Sequence, residues 1–170
     1  MEWKRVAIDS LEYLTETVER SLEGLTIDDL NRQPKPDCNS MGWLAWHLSR
    51  AQDRMVSALM GSKQVWVEDM WYTKFNRPGG AEDWGFGHAA KDLAEFKSPD
   101  AQTLLGYNKA VLERCRQYIS GLSEADLDGP VNHPRFKTVE AQVVALIGNL
   151  QHAGQLAYVR GFLKGIGWAK

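Results

Sequence analysis

The strongest helical pattern in the chain is MGWLAWHLSRAQDRMVSALM, residues 41–60. Its apolar residues recur at three- and four-residue steps, a spacing that places side chains on one face of an α-helix. Asn39 or Ser40 can cap the first turn with a side-chain oxygen, and Gly61 can end the last turn. The pattern therefore predicts a helix over residues 41–60 with an inward stripe of Met41, Leu44, Leu48, Ala51, Met55 and Leu59.

Three further amphipathic patterns surround this segment. They cover residues 3–25, residues 99–120 after a cap at Ser98, and residues 138–163, where the first residue is a capping threonine. No segment has the alternating pattern of a β-strand. The sequence therefore predicts an all-α protein, a four-helix bundle with a long crossover segment over residues 62–98 between its second and third helices.

A short motif occurs twice in the chain. Residues 24–30 read GLTIDDL and residues 121–127 read GLSEADL, and a proline-containing loop follows each copy. Both copies place a glycine, a leucine and a hydroxyl cap in the same order after a helix. We expect two similar helical hairpins, although this motif is also a common way to end one helix and begin another.

Length and composition indicate one globular domain over residues 1–170. The chain has 170 residues, of which 44% are hydrophobic and 25% are charged, as in typical folded proteins. Its net charge of −2 and its lack of any run of three or more basic residues argue against a nucleic-acid partner.

The sequence predicts no membrane segment and no export signal. Five polar side chains interrupt the longest uncharged stretch, residues 141–159, and each would need a hydrogen-bond partner inside lipid. The N-terminal residues 1–14 carry charges where a signal peptide needs an apolar run. We therefore expect a cytoplasmic protein without a membrane partner.

Two of the four histidines lie inside predicted helices, in apolar surroundings that are unfavourable for an imidazole. His47 lies seven residues after Ser40, and His152 lies fourteen residues after Thr138, so each ring shares a face with its helix cap. If both faces point inward, the imidazoles converge, and converging histidines of a helical bundle bind divalent metals. The alternative is that each histidine is a hydrogen-bonded core residue.

Three segments of the sequence resemble the signature segments of DinB-like proteins. They are NSMGWLAWHLSRAQD at residues 39–53, GFGH at residues 85–88 and HAGQLAYVRG at residues 152–161. The first and last are the more specific, and the resemblance covers essentially the whole chain. This superfamily includes the metal-binding domain of mycothiol-dependent maleylpyruvate isomerase and the bacillithiol S-transferases.

The resemblance implies a four-helix bundle that holds a divalent metal, often nickel or zinc, with three histidines. One ligand belongs on the second helix, where His47 matches it, and two belong four residues apart on the fourth helix, where His152 matches the later one. The earlier position is Gly148, which has no side chain to bind a metal. A site with two imidazoles and water binds a metal more weakly than a site with three.

Two interpretations of the Gly148 position remain open. Another side chain can replace the missing ligand, and the candidates are His88, His133 and Asp53. Otherwise the site is degenerate, and Gly148 opens a pocket that holds no metal.

Three more residues of these segments are candidates for contact with a metal-bound group or a substrate. Gln155 lies three residues after His152 and can hydrogen-bond the second nitrogen of that imidazole or a substrate carbonyl. Arg160 can pair with an anionic substrate group or form a salt bridge at the end of the bundle. Trp43 shares a helix face with His47 and can form the wall of an apolar cavity or pack in the core.

Motifs for other chemistries are missing from the sequence. It contains no phosphate-binding glycine loop, no dinucleotide fingerprint, no serine-hydrolase elbow and no ferritin-like pair of glutamate and histidine. The resemblance instead implies a transferase or isomerase that acts on a small molecule and uses a divalent metal and a low-molecular-weight thiol. The alternative is a non-catalytic ligand-binding or stress-associated bundle.

The resemblance also leaves the oligomeric state open, since proteins of this kind often form homodimers. Trp66 and Trp71 can cover a partner subunit or a lid.

Overall fold

The computed structural model describes residues 2–165, so the ends of the predicted 1–170 domain lie outside the described residues. The all-α class is confirmed, because the described part of the chain is helical and contains only an isolated bridge between Pro130 and Thr138. The helices are α1 (Glu2–Leu22), α2 (Ile27–Asn31), α3 (Met41–Met60), α4 (Val65–Glu68), α5 (Trp71–Lys74), α6 (Ala90–Glu95), α7 (Ala101–Gly121), a 3₁₀ helix (Ala125–Asp128), α8 (Val139–Gly148) and α9 (Leu150–Lys164).

The long helices pack in alternation around one core. α1 contacts α7 and α9, and α3 contacts the same two helices. α3 is the central element, because every residue from Met41 to Asp53 is buried. The sequence predicted that only one face of this helix is buried, and the buried surface is wider than that. The reason is that α2 and α4 also pack on α3, on faces that were expected to be exposed to solvent.

Local capping chemistry sets the ends of α3 where the sequence predicts them. The Ser40 hydroxyl accepts a hydrogen bond from the Trp43 amide at 3.2 Å, and Gly61 adopts a left-handed conformation with φ of 62°. The start of α7 differs, because Asp100 rather than Ser98 caps it, through a 2.7 Å bond from the Thr103 amide. Ser98 instead contacts Asn31: the Ser98 amide donates a hydrogen bond to the side-chain oxygen of Asn31 at 2.8 Å.

The repeated motif forms the same hydrogen bonds in both copies. The amide and hydroxyl of Thr26 donate to the Asp29 carboxylate, and those of Ser123 donate to the Asp126 carboxylate. The glycines differ, since Gly24 has a φ of 68° whereas Gly121 remains within α7. The shared element is therefore the turn that follows the helix.

The predicted fourth helix is divided in two at Asn149. The Asn149 side chain is buried and donates to the carbonyl oxygens of Ala145 and Leu146, at 3.2 and 3.3 Å. A side-chain amide that bonds to nearby backbone oxygens competes with helical hydrogen bonds. A single helix over residues 138–163 was therefore wrong: α8 ends at Gly148 and α9 begins at Leu150.

The crossover segment contains α4, α5 and α6, and buried charge on α3 holds it in place. The Arg50 guanidinium donates to the carbonyl oxygens of Ala81, at 3.0 Å, and Asp83, at 2.8 and 3.0 Å. The Asp53 carboxylate accepts the amides of Val65 and Trp66, each at 2.9 Å, and so anchors the start of α4. Within residues 2–165, no helix is long and apolar enough to span a membrane.

Asp53→Asn tests this anchor. The substitution weakens two amide contacts and leaves the fully buried Arg50 without its 3.8 Å carboxylate neighbour. Disrupting a buried ion pair costs about 3 kcal/mol or more, so urea unfolding should show a loss of that size. Asp69→Asn, at an exposed carboxylate, should change the free energy of unfolding by less than about 0.5 kcal/mol. Equal stability of the two variants would contradict the anchoring role.

Candidate functional site

His47 of α3 and His152 of α9 come together at one end of the contact between these helices. Their ring centroids are 4.9 Å apart and their planes are nearly perpendicular, at 78°. His47 is buried, with 6% of its surface exposed, whereas His152 is partly exposed. The two rings approach each other as their helical spacing predicts, and both lie on the wall of one cavity.

The hydrogen bond of His47 defines which ring nitrogen is available. Its Nδ1 lies 2.5 Å from the carbonyl oxygen of Trp84, and a carbonyl only accepts, so Nδ1 carries the proton. The lone pair of the neutral ring is then on Nε2. Burial lowers the pKa of His47 to about 4. The Trp84 hydrogen bond raises this pKa in part, and the neighbouring His152 lowers it by a smaller amount. The ring is therefore neutral at pH 7, the form that binds metals.

His152 has a matching arrangement. Its Nδ1 lies 2.9 Å from the side-chain oxygen of Gln155, so Nδ1 donates to that oxygen and Nε2 is the nitrogen left for another contact. Gln155 therefore makes the imidazole contact that its three-residue spacing predicts. A hydrogen bond to the second nitrogen fixes the tautomer and the orientation of a histidine ligand.

His47 is part of a column of parallel rings. Trp43 stacks on it at 4.6 Å and 15°, Trp84 stacks on the other side at 5.5 Å and 13°, and Phe86 stacks on Trp84 at 5.1 Å and 6°. Trp43 is buried and does not line the cavity, so of its two predicted roles the structure favours packing in the core. Trp84 and Phe86 form the cavity wall instead.

Gly85 explains why the crossover segment approaches His47 so closely. Its φ is 87°, and a Cβ there would lie 2.8 Å from Trp43 and 3.1 Å from the Nδ1 of His47. Only glycine accepts both this backbone conformation and this contact. The first glycine of the GFGH segment, the less specific of the three resembling segments, is thus required by the close contact with His47.

The cavity beside the two histidines has a volume of about 580 Å³. Apolar side chains of α3 and α8 form its floor: Ala51, Met55, Ala141, Val144 and Ala145. The loops on either side supply the aromatic rings of Trp84, Phe86 and Phe136. Gly148 lies on this wall, and a Cβ added there would meet no atom within 4 Å. The position of the missing third ligand is therefore open space.

The replacement ligands considered from the sequence do not reach this pair. His88 accepts a hydrogen bond from the Trp43 indole at 3.1 Å and donates to Asp83 at 3.1 Å. The Nδ1 of His133 accepts the amides of Arg135 and Phe136. The oxygens of Asp53 accept the α4 amides. Among the residues that the structure describes, no group of three metal-binding side chains forms.

Arg160 contacts α1 outside the cavity. Its Nη1 donates to the carbonyl oxygen of Ser21 at 2.8 Å and so connects α9 to the end of α1. The structure thus places Arg160 at the end of a helix, as the second of its two predicted roles requires. There it bonds to a backbone carbonyl.

Comparison with known proteins identifies the family of this helical arrangement. The sequence profile of the DinB superfamily matches residues 10–156. The chain belongs to the DinB superfamily. A conserved protein from Enterococcus faecalis, known from its crystal structure, is 28% identical to this DinB protein; the match covers 95% of this chain and 97% of the other, with a TM-score of 0.85. No curated protein matches the sequence.

The low pKa of His47 predicts how the stability of the protein depends on pH. The pKa of histidine is 6.5 when unfolded and about 4 in this fold, so the unfolded chain takes up the proton first as pH falls. Between pH 7.5 and pH 5, His47 should lower the free energy of unfolding by about 2 kcal/mol. Urea titrations in the presence of EDTA measure this change.

His47→Gln should remove most of this loss of stability at pH 5. His133→Gln is the matched control, since the pKa of His133 is also lowered by burial but its ring lies in a loop near the surface. A pH dependence that survives in His47→Gln would show that another group produces it.

Proposed function

We propose that this protein is a thiol-dependent transferase or isomerase in which His47 and His152 hold a divalent metal ion, nickel or zinc, at the cavity. The observation that carries the proposal is the pair of imidazoles, one from α3 and one from α9, with centroids 4.9 Å apart. The resemblance of the sequence to metal- and thiol-dependent DinB-like enzymes supports the same chemistry.

The residues at the cavity fit a weakly held ion. Neutral imidazole nitrogen is a suitable ligand for nickel and zinc, and each ring has its Nδ1 engaged, by Trp84 or Gln155. Catalytic zinc sites usually have three protein ligands. Two ligands leave more positions free for a thiol and for water, with lower affinity for the metal.

The residues of this chain have distinct tasks in that reaction. A bound divalent ion lowers the pKa of a thiol that coordinates it, so a thiolate nucleophile is present at neutral pH. The Trp84 carbonyl and the Gln155 amide orient the two imidazoles towards this role. The apolar floor of Ala51, Met55 and Val144 excludes water from the electrophile that the thiolate attacks.

A second candidate function has its own observation. The open wall at Gly148 and the lack of a third metal-binding side chain among the described residues favour a ligand-binding protein that has lost the metal site. The cavity would then take a small molecule without catalysing a reaction.

Metal binding separates the two candidates. Protein purified without a histidine tag should bind about one equivalent of Zn²⁺ or Ni²⁺ in a calorimetric titration. Either His47→Ala or His152→Ala should weaken binding at least tenfold, about 1.4 kcal/mol, because each removes one of two ligands. His133→Ala should bind as the wild type does.

The same preparations test the reaction. Metal-loaded wild type should accelerate the conjugation of mycothiol or bacillithiol to an electrophile such as 1-chloro-2,4-dinitrobenzene, and His47→Ala should not. A wild type that binds no metal, or that binds metal without accelerating this reaction, would favour the ligand-binding function.

Gly148→His offers a test by gain of affinity. The added side chain meets no atom within 4 Å of its Cβ, and it extends from the cavity wall four residues before His152. A third imidazole should tighten Zn²⁺ binding at least tenfold. Gly154→His is the matched control, because it has the same free space on α9 but lines a different cavity. Equal affinity of both variants would contradict the proposed position of the metal.

A further inference from the structure

The charge on the cavity wall has one sign. Apart from the two histidines, Arg135 is the only titratable side chain that lines the cavity within residues 2–165, and no carboxylate lines it. Arg135 is exposed and forms no ion pair with a described carboxylate. The wall therefore carries an uncompensated positive charge.

Two further cations lie near Arg135. Arg54 and Lys137, together with Arg135, add to burial in lowering the pKa of His133, which shows that their charges act on the same loop. Arg54 also lies over the face of Trp84, at 5.4 Å. Its carboxylate partner, Glu82, is 91% exposed, so solvent screens that pair. The cavity is thus locally positive in a chain whose net charge is −2.

The same cavity presents aromatic faces from two loops. Trp84 and Phe86 stack in parallel on the crossover segment, and Phe136 lies on the loop before α8. Phe86 is 78% exposed although it ends a column of stacked rings. An exposed aromatic face beside a cavity is a surface on which a flat ring can stack.

We propose that this cavity binds a small planar aromatic carboxylate. The ring stacks on the exposed outer face of Phe86, because His47 and Phe86 already cover the two faces of Trp84. Phe136, on which His133 stacks, borders the ring from the other loop. The carboxylate pairs with Arg135, whose guanidinium matches its two oxygens. A volume of about 580 Å³ is sufficient for a ligand with one or two rings. This inference rests on the proposed function in one respect, since it names the substrate class of the same site.

Calorimetric binding of 2-naphthoate tests the proposal. It is compared with 2-naphthamide, which has the same rings without the charge, and with cyclohexanecarboxylate, which has the charge without an aromatic ring. In EDTA-treated protein, 2-naphthoate should bind at least tenfold more tightly than either compound.

Variants assign the two contacts. Arg135→Gln should reduce the affinity for 2-naphthoate to that for 2-naphthamide, and Phe86→Ser should weaken both aromatic compounds. Arg116→Gln is the control, because this arginine of α7 pairs with Glu12 and lies outside the cavity. The proposal is overturned if the charged and neutral naphthalenes bind equally, if Arg135→Gln has no effect, or if the dissociation constant of 2-naphthoate is above about 1 mM.

The EDTA separates this test from that of the proposed function. Arg135-dependent binding of 2-naphthoate by a protein that takes up no metal would support the substrate class and contradict the metal-dependent reaction. Metal uptake by a protein that does not bind 2-naphthoate would support the metal-dependent reaction and contradict the substrate class.

Discussion

A buried guanidinium is the constraint on which the rest of the structure depends. Arg50 is fully buried, and its charge requires hydrogen-bond acceptors inside the fold. The crossover segment supplies them with the carbonyl oxygens of Ala81 and Asp83 and the side chain of Gln64. Because the next residue is Trp84, the same contacts bring its carbonyl to the ring of His47, one turn before Arg50. Docking of the crossover segment on α3 therefore also places the Trp84 carbonyl at His47.

The parts of the fold that local chemistry controls could be predicted from the sequence. The bounds of α3 follow from a serine that caps its first turn and a glycine that ends its last turn, and both residues are adjacent to the helix in the sequence. The division at Asn149 could not be predicted, because apolar periodicity continues through it. It depends on a buried amide that contacts Ala145, Leu146 and the sulfur of Met55, and only the folded chain brings that sulfur close.

The residues of the candidate site that lie on helices could be predicted from the sequence, whereas those on loops could not. His47 and His152 stood out because an imidazole in an apolar helix needs a reason, and Gln155 followed from helical spacing. The loop residues of the cavity could not be predicted together, because loops have no periodicity that would place their side chains on a common wall. They are Trp84, Phe86, Arg135 and Phe136. For Trp43, the face that it shares with His47 left a cavity wall and core packing as alternatives, and the stack of its ring on His47 within the core decides for packing.

The wide separation of the two histidines along the chain has a thermodynamic consequence. His47 lies on an early helix and His152 on the last described helix, so an unfolded chain rarely holds the rings together. Whatever binds between them selects the native state over the ensemble of unfolded conformations. A ligand present at a hundred times its dissociation constant would add about 2.7 kcal/mol to the free energy of unfolding. Occupancy of the cavity and the population of the folded state are therefore thermodynamically linked.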